Sequence, residues 1–262
     1  MIGVFDSGIG GLTVVREIFR QLPGYGVVYF GDTARMPYGN KSRHMVARYA
    51  LQDAEFLISQ GAKVIVVACN TASALAIREL RRQIKVPLFE VVTPAVERAA
   101  QVAKSRLGVI GTRGTIKSGV YRTKMRRLAP HIETFGQPCP LFVPLVEEGW
   151  LDRPETLAIA KEYLHPLKSR GIDSLILGCT HYPFLKPLVR RALGRNKVEL
   201  IDPARETAAR LKEFLLAHPQ IDAGLARTRR HRFFTSDLTE QYSRLASSWL
   251  GGRISLKEVR LE

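Results

Sequence analysis

Long hydrophobic stretches, cysteine and acidic charge are all scarce in this chain of 262 residues. No apolar run approaches the roughly 18 to 20 residues that a membrane-spanning helix requires, so such a helix is not expected. The three cysteines are an odd and small number, which argues against a disulfide framework and for a reducing compartment. The N-terminal segment has neither the basic leader nor the long apolar stretch of a signal peptide. We therefore expect a cytoplasmic protein without a membrane partner.

Acidic residues are outnumbered, with 24 Asp and Glu against 40 Lys and Arg, and the formal net charge is +16. An excess of this size raises the question of a nucleic-acid partner. The basic residues are scattered, however, and in stretches such as Arg78–Arg82 they alternate with apolar residues at helical spacing. Aromatic residues do not interleave with them as a base-stacking platform would require. The pattern favours solvated helix faces over nucleic-acid binding, with attraction of an anionic substrate or weak polyanion binding as the alternative.

Short apolar runs alternate regularly with helix-like segments, which predicts parallel sheets flanked by helices. The predicted strands are Ile2–Asp6, Val27–Gly31, Val64–Ala68, Leu88–Val92, Leu107–Gly111, Ile132–Phe135, Ser174–Gly178 and Val198–Ile201. The predicted helices are Leu12–Gln21, His44–Gln60, Ala72–Gln83, Pro94–Lys104, Pro154–Arg170, Phe184–Leu193 and Ala204–Leu216. Thr93 is expected to cap the helix that begins at Pro94.

The C-terminal tail reads as strand, helix and strand, with the helix over Leu238–Trp249 and the last strand over Ser255–Leu261. We expect this tail to return to the first part of the chain. The predicted architecture is an α/β protein of two lobes, each a mainly parallel sheet flanked by helices. Residues 1–92 with 205–262 form the first lobe, and residues 93–204 form the second.

Two cysteines occupy nearly matching positions in the two halves. Cys69 ends the apolar run Val64–Ala68, Cys179 ends the run Leu175–Gly178, and polar residues and a helix-like segment follow each of them. Ligands of open α/β sheets bind at the carboxyl ends of such strands. A single cysteine in this setting is more often a small buried hydrophobic residue. Because the setting is repeated, we interpret the two thiols as a pair of acid/base groups that face one substrate.

Several neighbours of the cysteines are candidate binding groups. The backbone N–H groups of Asn70, Thr71, Thr180 and His181 follow strand ends and are able to bind a carboxylate. The His181 side chain is a candidate for polarising the Cys179 thiol, or else a hydrogen-bonding residue at a helix start.

Two glycine-containing loops offer further candidates. Asp6, in the segment Asp6–Gly11, is positioned to hold a substrate ammonium group or assist a base, and the alternative is a helix cap. The glycine spacing of that segment does not match a dinucleotide-binding fingerprint, so a nicotinamide cofactor is not expected. Tyr38, in the loop Asp32–Gly39, is a candidate for covering a ligand, unless the loop is an ordinary surface turn.

Other chemistries are less well supported by the cysteine pattern. The Cys179-x-His181 spacing is not the usual spacing of paired zinc ligands and a fourth ligand is not evident, so no metal is expected. A Cys-His hydrolase remains an alternative, but it leaves the second thiol unexplained. Cys139 lies between two prolines, outside the strand-to-helix setting, and is interpreted as structural.

The same segments together resemble the glutamate racemases of the aspartate/glutamate racemase superfamily. The segments that carry the resemblance are Phe5–Gly11, Pro37–Gly39, Ala68–Ala72, Val109–Thr115, Pro144–Gly149, Gly178–Pro183 and Phe234–Asp237. They occur in order along essentially the whole chain. Aspartate racemases usually have Glu where this chain has His181, which favours glutamate over aspartate.

The resemblance implies a cofactor-independent racemase with two pseudo-symmetric lobes, an active site between them, and a homodimer. It implies that Cys69 and Cys179 are the two bases, with Asp6 and His181 tuning the thiols. It further implies that substrate is bound by Asp6, Ser7, Tyr38, Gly39, Asn70, Thr71, Thr180 and His181, with Thr112, Thr115 and Glu147 contributing. The implied role is to supply D-glutamate for peptidoglycan. Another amino-acid racemase, or a single-cysteine amidase or decarboxylase of the same superfamily, remains the alternative.

Overall fold

The computed structural model describes residues 1–194 and 197–261. Its strands are β1 (Ile2–Asp6), β2 (Val27–Gly31), β3 (Val64–Val67), β4 (Leu88–Glu90), β5 (Arg106–Gly111), β6 (Glu133–Pro138), β7 (Ser174–Gly178), β8 (Glu199–Ile201), β9 (Arg232–Thr235) and β10 (Leu256–Glu258). Its helices are α1 (Leu12–Gln21), α2 (Arg43–Ser59), α3 (Asn70–Leu75), α4 (Ile77–Gln83), α5 (Val92–Val102), α6 (Arg113–Lys117), α7 (Val120–Leu128), α8 (Phe142–Glu147), α9 (Pro154–Ser169), α10 (Lys186–Leu193), α11 (Pro203–Ala217), α12 (Pro219–Ala223) and α13 (Glu240–Leu250). Short 3₁₀ turns occupy Thr33–Arg35, Tyr38–Asn40 and Tyr182–Leu185.

The strands form two parallel sheets that repeat one topology. The first sheet has the order β10-β9-β2-β1-β3-β4, and the second has the order β6-β5-β7-β8. The segment β2-β1-β3-β4 of the first sheet matches the whole second sheet, strand for strand. Cys69 follows β3 and Cys179 follows β7, which are equivalent strands in the two repeats. The predicted α/β fold with two mainly parallel sheets flanked by helices is confirmed.

The central strands are buried on both faces, which explains why their sequences are continuously apolar. Every residue of β1, β2, β3 and β7 is buried, as is typical of parallel strands covered by helices on each side. Helix α1 packs on α11, and α11 packs on α5, so helices from both halves of the chain meet.

Two of the predicted helices differ from the observed ones: one is interrupted, and the other begins earlier than predicted. The predicted helix Ala72–Gln83 is two helices, α3 and α4, which meet at Ala76. The predicted capping role of Thr93 is wrong, because α5 begins at Val92. The Glu90 carboxylate accepts hydrogen bonds from the N–H groups of Val92 and Thr93 and so caps the helix from the end of β4.

The tail returns to the first sheet as expected, with β9 beside β2 and β10 beside β9. The predicted helix in the tail begins two residues later than expected, because the Thr239 side chain caps it by accepting from the N–H of Tyr242.

The division into residues 1–92 plus 205–262 and residues 93–204 stays a prediction. Positions 195, 196 and 262, which these ranges include, lie outside the described residues.

Candidate functional site

A small cavity lies at the carboxyl ends of β1, β3 and β7, where the two sheets face each other. Its volume is about 40 Å³. The residues that line it come from both halves of the chain: Ser7, Gly8, Met36, Pro37, Tyr38, Gly39, Cys69, Asn70, Thr71, Thr112, Val143, Cys179, Thr180 and His181. Both cysteines that follow equivalent strands therefore border the same space.

Cys69 caps helix α3 with its own side chain. Its Sγ accepts a hydrogen bond from the Ala72 N–H at 3.4 Å and donates to Ser7 Oγ at 3.4 Å. Burial and the nearby Asp6 carboxylate raise the pKa of the Cys69 thiol to about 12, although the hydrogen bonds with Ser7 and Ala72 oppose this shift. At neutral pH Cys69 is therefore a thiol, able to donate a proton.

Cys179 has a charged partner that Cys69 lacks. Its Sγ lies 3.9 Å from Nδ1 of His181, and Nε2 of His181 lies 3.0 Å from Oε1 of Glu147. Burial lowers the pKa of His181, but the hydrogen bonds with Cys179 and Glu147 outweigh burial and raise that pKa to about 10. His181 is therefore an imidazolium at neutral pH, and an adjacent cation favours the thiolate form of a cysteine. Trp249 packs its ring edge-on against the imidazole and helps to fix its orientation.

Asp6 lies behind the cavity wall, at the end of β1. Its carboxylate accepts from the Gly8 N–H at 3.2 Å and from Thr180 Oγ1 at 3.5 Å, so it connects the two strand ends that carry the site. Burial raises the pKa of Asp6, and the nearby His181 cation opposes that shift. A Cβ atom on Gly10 would lie 2.3 Å from Thr180 Oγ1, so only glycine allows this close approach of the two loops.

Three threonine hydroxyls form a second connection across the site. Thr71 Oγ1 lies 2.9 Å from Thr112 Oγ1 and 3.2 Å from Thr115 Oγ1, and Thr112 Oγ1 donates to Thr115 Oγ1 at 3.0 Å. The backbone of Gly39 lies against Thr112, because a Cβ atom on Gly39 would lie 2.8 Å from Thr112 Cβ. Asn70 is held in turn by the Tyr121 hydroxyl, which donates to its Oδ1 at 2.7 Å. Hydroxyl and amide groups thus face the cavity in fixed orientations.

The loop that carries Tyr38 and Gly39 is held by a buried group of charged side chains. The guanidinium of Arg35 donates to Asp32 at 2.7 Å and to Asp53 at 3.0 Å. The Tyr38 hydroxyl donates to both carboxylates, at 2.9 Å for Asp53. Burial raises the pKa of Asp53 well above its usual range, repulsion from Asp32 adds to this, and Arg35 opposes it. Tyr38 lines the cavity while its hydroxyl points away into this group.

We predict that Arg35→Met destabilises the protein strongly, because it leaves the two buried carboxyl groups without their cation. Removal of one partner from a buried ion pair costs about 3 to 5 kcal/mol of unfolding free energy. Urea denaturation followed by circular dichroism measures the effect. The matched control is Arg210→Met, since Arg210 pairs with Glu213 on the exposed face of α11 and should change the urea midpoint little. Equal midpoints for the two variants would contradict this account.

The structure brings together most of the residues that the sequence suggested. The cavity wall includes Ser7, Tyr38, Gly39, Cys69, Asn70, Thr71, Thr112, Cys179, Thr180 and His181. Asp6, Thr115 and Glu147 lie behind that wall and contact it through hydrogen bonds. Gly8, Met36, Pro37 and Val143 also line the cavity but were not among the candidates. Gly8 and Pro37 lie inside the motifs, whereas Met36 and Val143 carry no chemical group that marks them in the sequence.

The cavity wall holds no lysine or arginine among its described residues. The groups in this wall that are able to bind an anion are backbone N–H groups, hydroxyls and the His181 imidazolium. Within residues 1–194 and 197–261 there is no group of three or more His, Cys, Asp and Glu residues that could hold a metal ion. No helix in that part of the chain is long and apolar enough to cross a membrane.

A profile of the Asp/Glu/hydantoin racemase family matches residues 2–211. The chain belongs to this family. Its sequence is 45% identical to the glutamate racemase of Geobacter metallireducens over 267 aligned positions, which cover 100% of this chain and 97% of that protein. The structure resembles a glutamate racemase isoform from Bacillus anthracis, with a TM-score of 0.93, 39% identity, and coverage of 100% of this chain and 97% of that one.

A second structural relative has been solved with an amino acid bound. The glutamate racemase of Francisella tularensis, solved in complex with D-glutamate, matches with a TM-score of 0.91 and 37% identity, over 100% of this chain and 97% of that one. The predicted membership of the aspartate/glutamate racemase superfamily is confirmed, by the family profile over residues 2–211 and by similarity to glutamate racemases over the full length of the chain. The two-lobed α/β fold predicted from the resemblance is confirmed as well.

Proposed function

We propose that this racemase interconverts L-glutamate and D-glutamate by proton transfer between Cys69 and Cys179, without a cofactor. The observation that carries the proposal is that two thiols, placed by equivalent strands of two repeated sheets, border one cavity. The Francisella relative with bound D-glutamate supports the choice of substrate. We further propose that the D-glutamate supplies peptidoglycan synthesis, and that the protein acts in the cytoplasm as a homodimer.

The protonation states of the unliganded site favour one direction first. Cys179, whose Sγ lies 3.9 Å from Nδ1 of the His181 imidazolium, takes the role of the first base, and Cys69 takes the role of the proton donor. The resemblance to the glutamate racemases assigns Cys179 to L-glutamate and Cys69 to D-glutamate. From L-glutamate the Cys179 thiolate takes the α-proton, and the electron pair of the C–H bond remains on the substrate as a carbanion. The Cys69 thiol then delivers its proton to the opposite face, which gives D-glutamate, a Cys179 thiol and a Cys69 thiolate. The reverse reaction starts from that second state.

Stabilising the carbanion is the difficult step, because the proposed reaction uses no pyridoxal phosphate to accept the electron pair. Neutralising the α-carboxylate lowers this cost, and preorganised donors in a site that excludes water do so most effectively. The first N–H groups of a helix have no partner inside it, so those of Asn70 and Thr71 at the start of α3 are suited to the task. The Ser7 and Thr180 hydroxyls, the Gly39 backbone and the edge of Tyr38 complete the proposed binding surface.

The residues behind the wall receive positioning roles in the proposal. Glu147 holds His181 in its charged form, and Asp6 orients Thr180 while raising the pKa of the Cys69 thiol. Thr115 fixes the Thr71 and Thr112 hydroxyls that face the cavity.

We predict that the purified protein racemises glutamate in deuterated water and incorporates deuterium at the α-carbon of the product. The values of kcat/KM for L- and D-glutamate should exceed those for L- and D-aspartate by about 100-fold or more, since the shorter side chain leaves a carboxylate misplaced against fixed donors. Chiral chromatography with mass spectrometry measures both quantities.

Other outcomes of the same assay would assign the alternatives. Preferential turnover of aspartate would make the protein an aspartate racemase of this family. Release of carbon dioxide from glutamate without inversion would indicate a decarboxylase. No turnover of glutamate, with release of ammonia from an amide such as glutamine, would indicate an amidase, and either result would contradict the proposal.

A further inference from the structure

A groove that shares no lining residue with the substrate cavity runs between α2 and the α3–α4 segment. Its volume is about 730 Å³, which lies in the range of ligand-binding pockets. The lining residues are Arg43, His44, Ala47, Arg48, Leu51, Leu75, Arg78, Glu79, Arg82 and Gln83.

The groove combines an aliphatic floor with a cationic rim. Ala47, Leu51 and Leu75 are partly buried and form the floor. The four arginines are exposed, two on α2 and two on α4, so that the floor lies between guanidinium groups from both helices. The stretch Arg78–Arg82, which the sequence suggested to be a solvated face, therefore directs part of its charge into a concave surface.

The positive charge of this rim is largely uncompensated. Among the described residues, Arg43, Arg48 and Arg78 form no ion pair and no hydrogen bond through their side chains. The one carboxylate in the groove, Glu79, accepts from Gln83 at 2.6 Å and lies 3.6 Å from Arg82. Several positive charges around a concave apolar surface attract anions and repel cations.

The length of the groove limits what fits into it. Residues 43–51 of α2 and residues 75–83 opposite them each extend about 12 Å at 1.5 Å per residue. The described lining has no Phe, Tyr or Trp side chain that would form a stacking platform for successive bases. The groove therefore suits a compact molecule with several negative charges at one part and an aliphatic chain at another.

We propose that this groove binds a compact aliphatic phosphate or diphosphate ester. Guanidinium groups bind phosphate oxygens in a bidentate manner, and a phosphate monoester carries close to two negative charges, against one for a carboxylate. Three unpaired arginines within this short length match a phosphate or diphosphate better than a single carboxylate. The aliphatic part of the ester lies on Leu51 and Leu75, which otherwise remain in contact with water.

Isothermal titration calorimetry with hexyl diphosphate tests the proposal and requires no racemase turnover, so it is independent of the proposed reaction. Hexyl diphosphate should bind at least about tenfold more tightly than inorganic diphosphate, because only the ester buries its chain. It should also bind at least about tenfold more tightly than hexanoate, which has a similar chain but one negative charge.

Paired variants locate the binding site. The double variant Arg48→Gln/Arg78→Gln should weaken binding of hexyl diphosphate by about tenfold or more, since two charge-assisted contacts are lost. The double variant Arg81→Gln/Arg126→Gln makes the same change in net charge at exposed positions outside the groove and should stay within about twofold of the parent. Circular dichroism confirms that both variants are folded.

Three results would overturn the proposal. One is equal weakening in both double variants, which would indicate a general effect of net charge. Another is binding of inorganic diphosphate as tightly as the ester, which would remove the role of the aliphatic floor. The third is loss of self-association in Arg48→Gln/Arg78→Gln by analytical ultracentrifugation without ester binding to the parent protein, which would assign the groove to a second copy of the chain.

Discussion

Replacing Cys69 with serine is expected to reduce racemisation of L-glutamate by about 10² to 10⁴-fold, the usual contribution of a general acid or base. A serine hydroxyl is a far weaker proton donor than the thiol that it replaces. Cys179 and its His181 partner remain in place, however, so removal of the α-proton of L-glutamate should continue. In deuterated water the variant should therefore incorporate deuterium into L-glutamate while it forms little D-glutamate.

Cys179→Ser is the matched variant on the other face of the site. Its pattern of deuterium exchange should differ from that of Cys69→Ser. Racemisation should fall by a similar factor, but exchange into D-glutamate requires the Cys69 thiolate, and burial with Asp6 raises the pKa of Cys69 to about 12. That exchange should be slow at neutral pH. Its rate should rise about tenfold with each unit of increase in pH until the pH reaches this pKa. Nuclear magnetic resonance of the α-proton, enantiomer by enantiomer, measures both variants.

The two variants together separate the competing mechanisms. Racemisation at the parent rate by either single variant would contradict two-base chemistry. Exchange into D-glutamate by Cys69→Ser, with none into L-glutamate, would retain the two bases but reverse their assignment to the two enantiomers. Cys139→Ser is the control, since that thiol does not line the substrate cavity and burial raises its pKa.

The sequence predicted the position of the two cysteines in the fold well, because each lies at the end of a strong local pattern. Each thiol ends a buried strand, and the periodicity of apolar residues locates such strands reliably. The contact between Glu147 and His181 has no comparable signal. It joins helix α8 to the turn after β7 across 34 positions, and only the packing of α8 brings the two side chains together. Resemblance to the family suggested Glu147, whereas spacing in this chain could not.

The errors in the predicted helices have a similar physical origin. Thr93 with Pro94 is a good local helix start, but Glu90 at the end of β4 accepts hydrogen bonds from the N–H groups of Val92 and Thr93, so the helix begins earlier.

The arginines of α4 alternate with apolar residues as on any solvated helix. Periodicity identifies the face that they occupy but not the second helix that lies opposite, so the cationic groove could not be predicted.

Glu147→Gln is expected to narrow the pH range of L-glutamate turnover by lowering the pKa of His181. Burial alone would lower the pKa of this histidine, and the contacts with Cys179 and Glu147 together raise it to about 10. Without the Glu147 carboxylate the pKa should fall by about 1 to 3 units, the usual effect of losing an adjacent opposite charge. The imidazolium exists below this pKa and is lost as the pH rises through it, so the activity that depends on it is lost on the alkaline side.

The profile of kcat/KM against pH for L-glutamate measures this shift, because it reports the groups of the free enzyme. The parent should lose activity as the pH approaches about 10, and Glu147→Gln should lose it at a lower pH while keeping activity near neutrality. Glu148→Gln is the control, since Glu148 is the next residue, is exposed and contacts Gln241 rather than His181. A variant that merely loosened the fold would lower kcat/KM at every pH. Identical alkaline limbs in the parent and Glu147→Gln would show that the carboxylate does not hold the charge of His181.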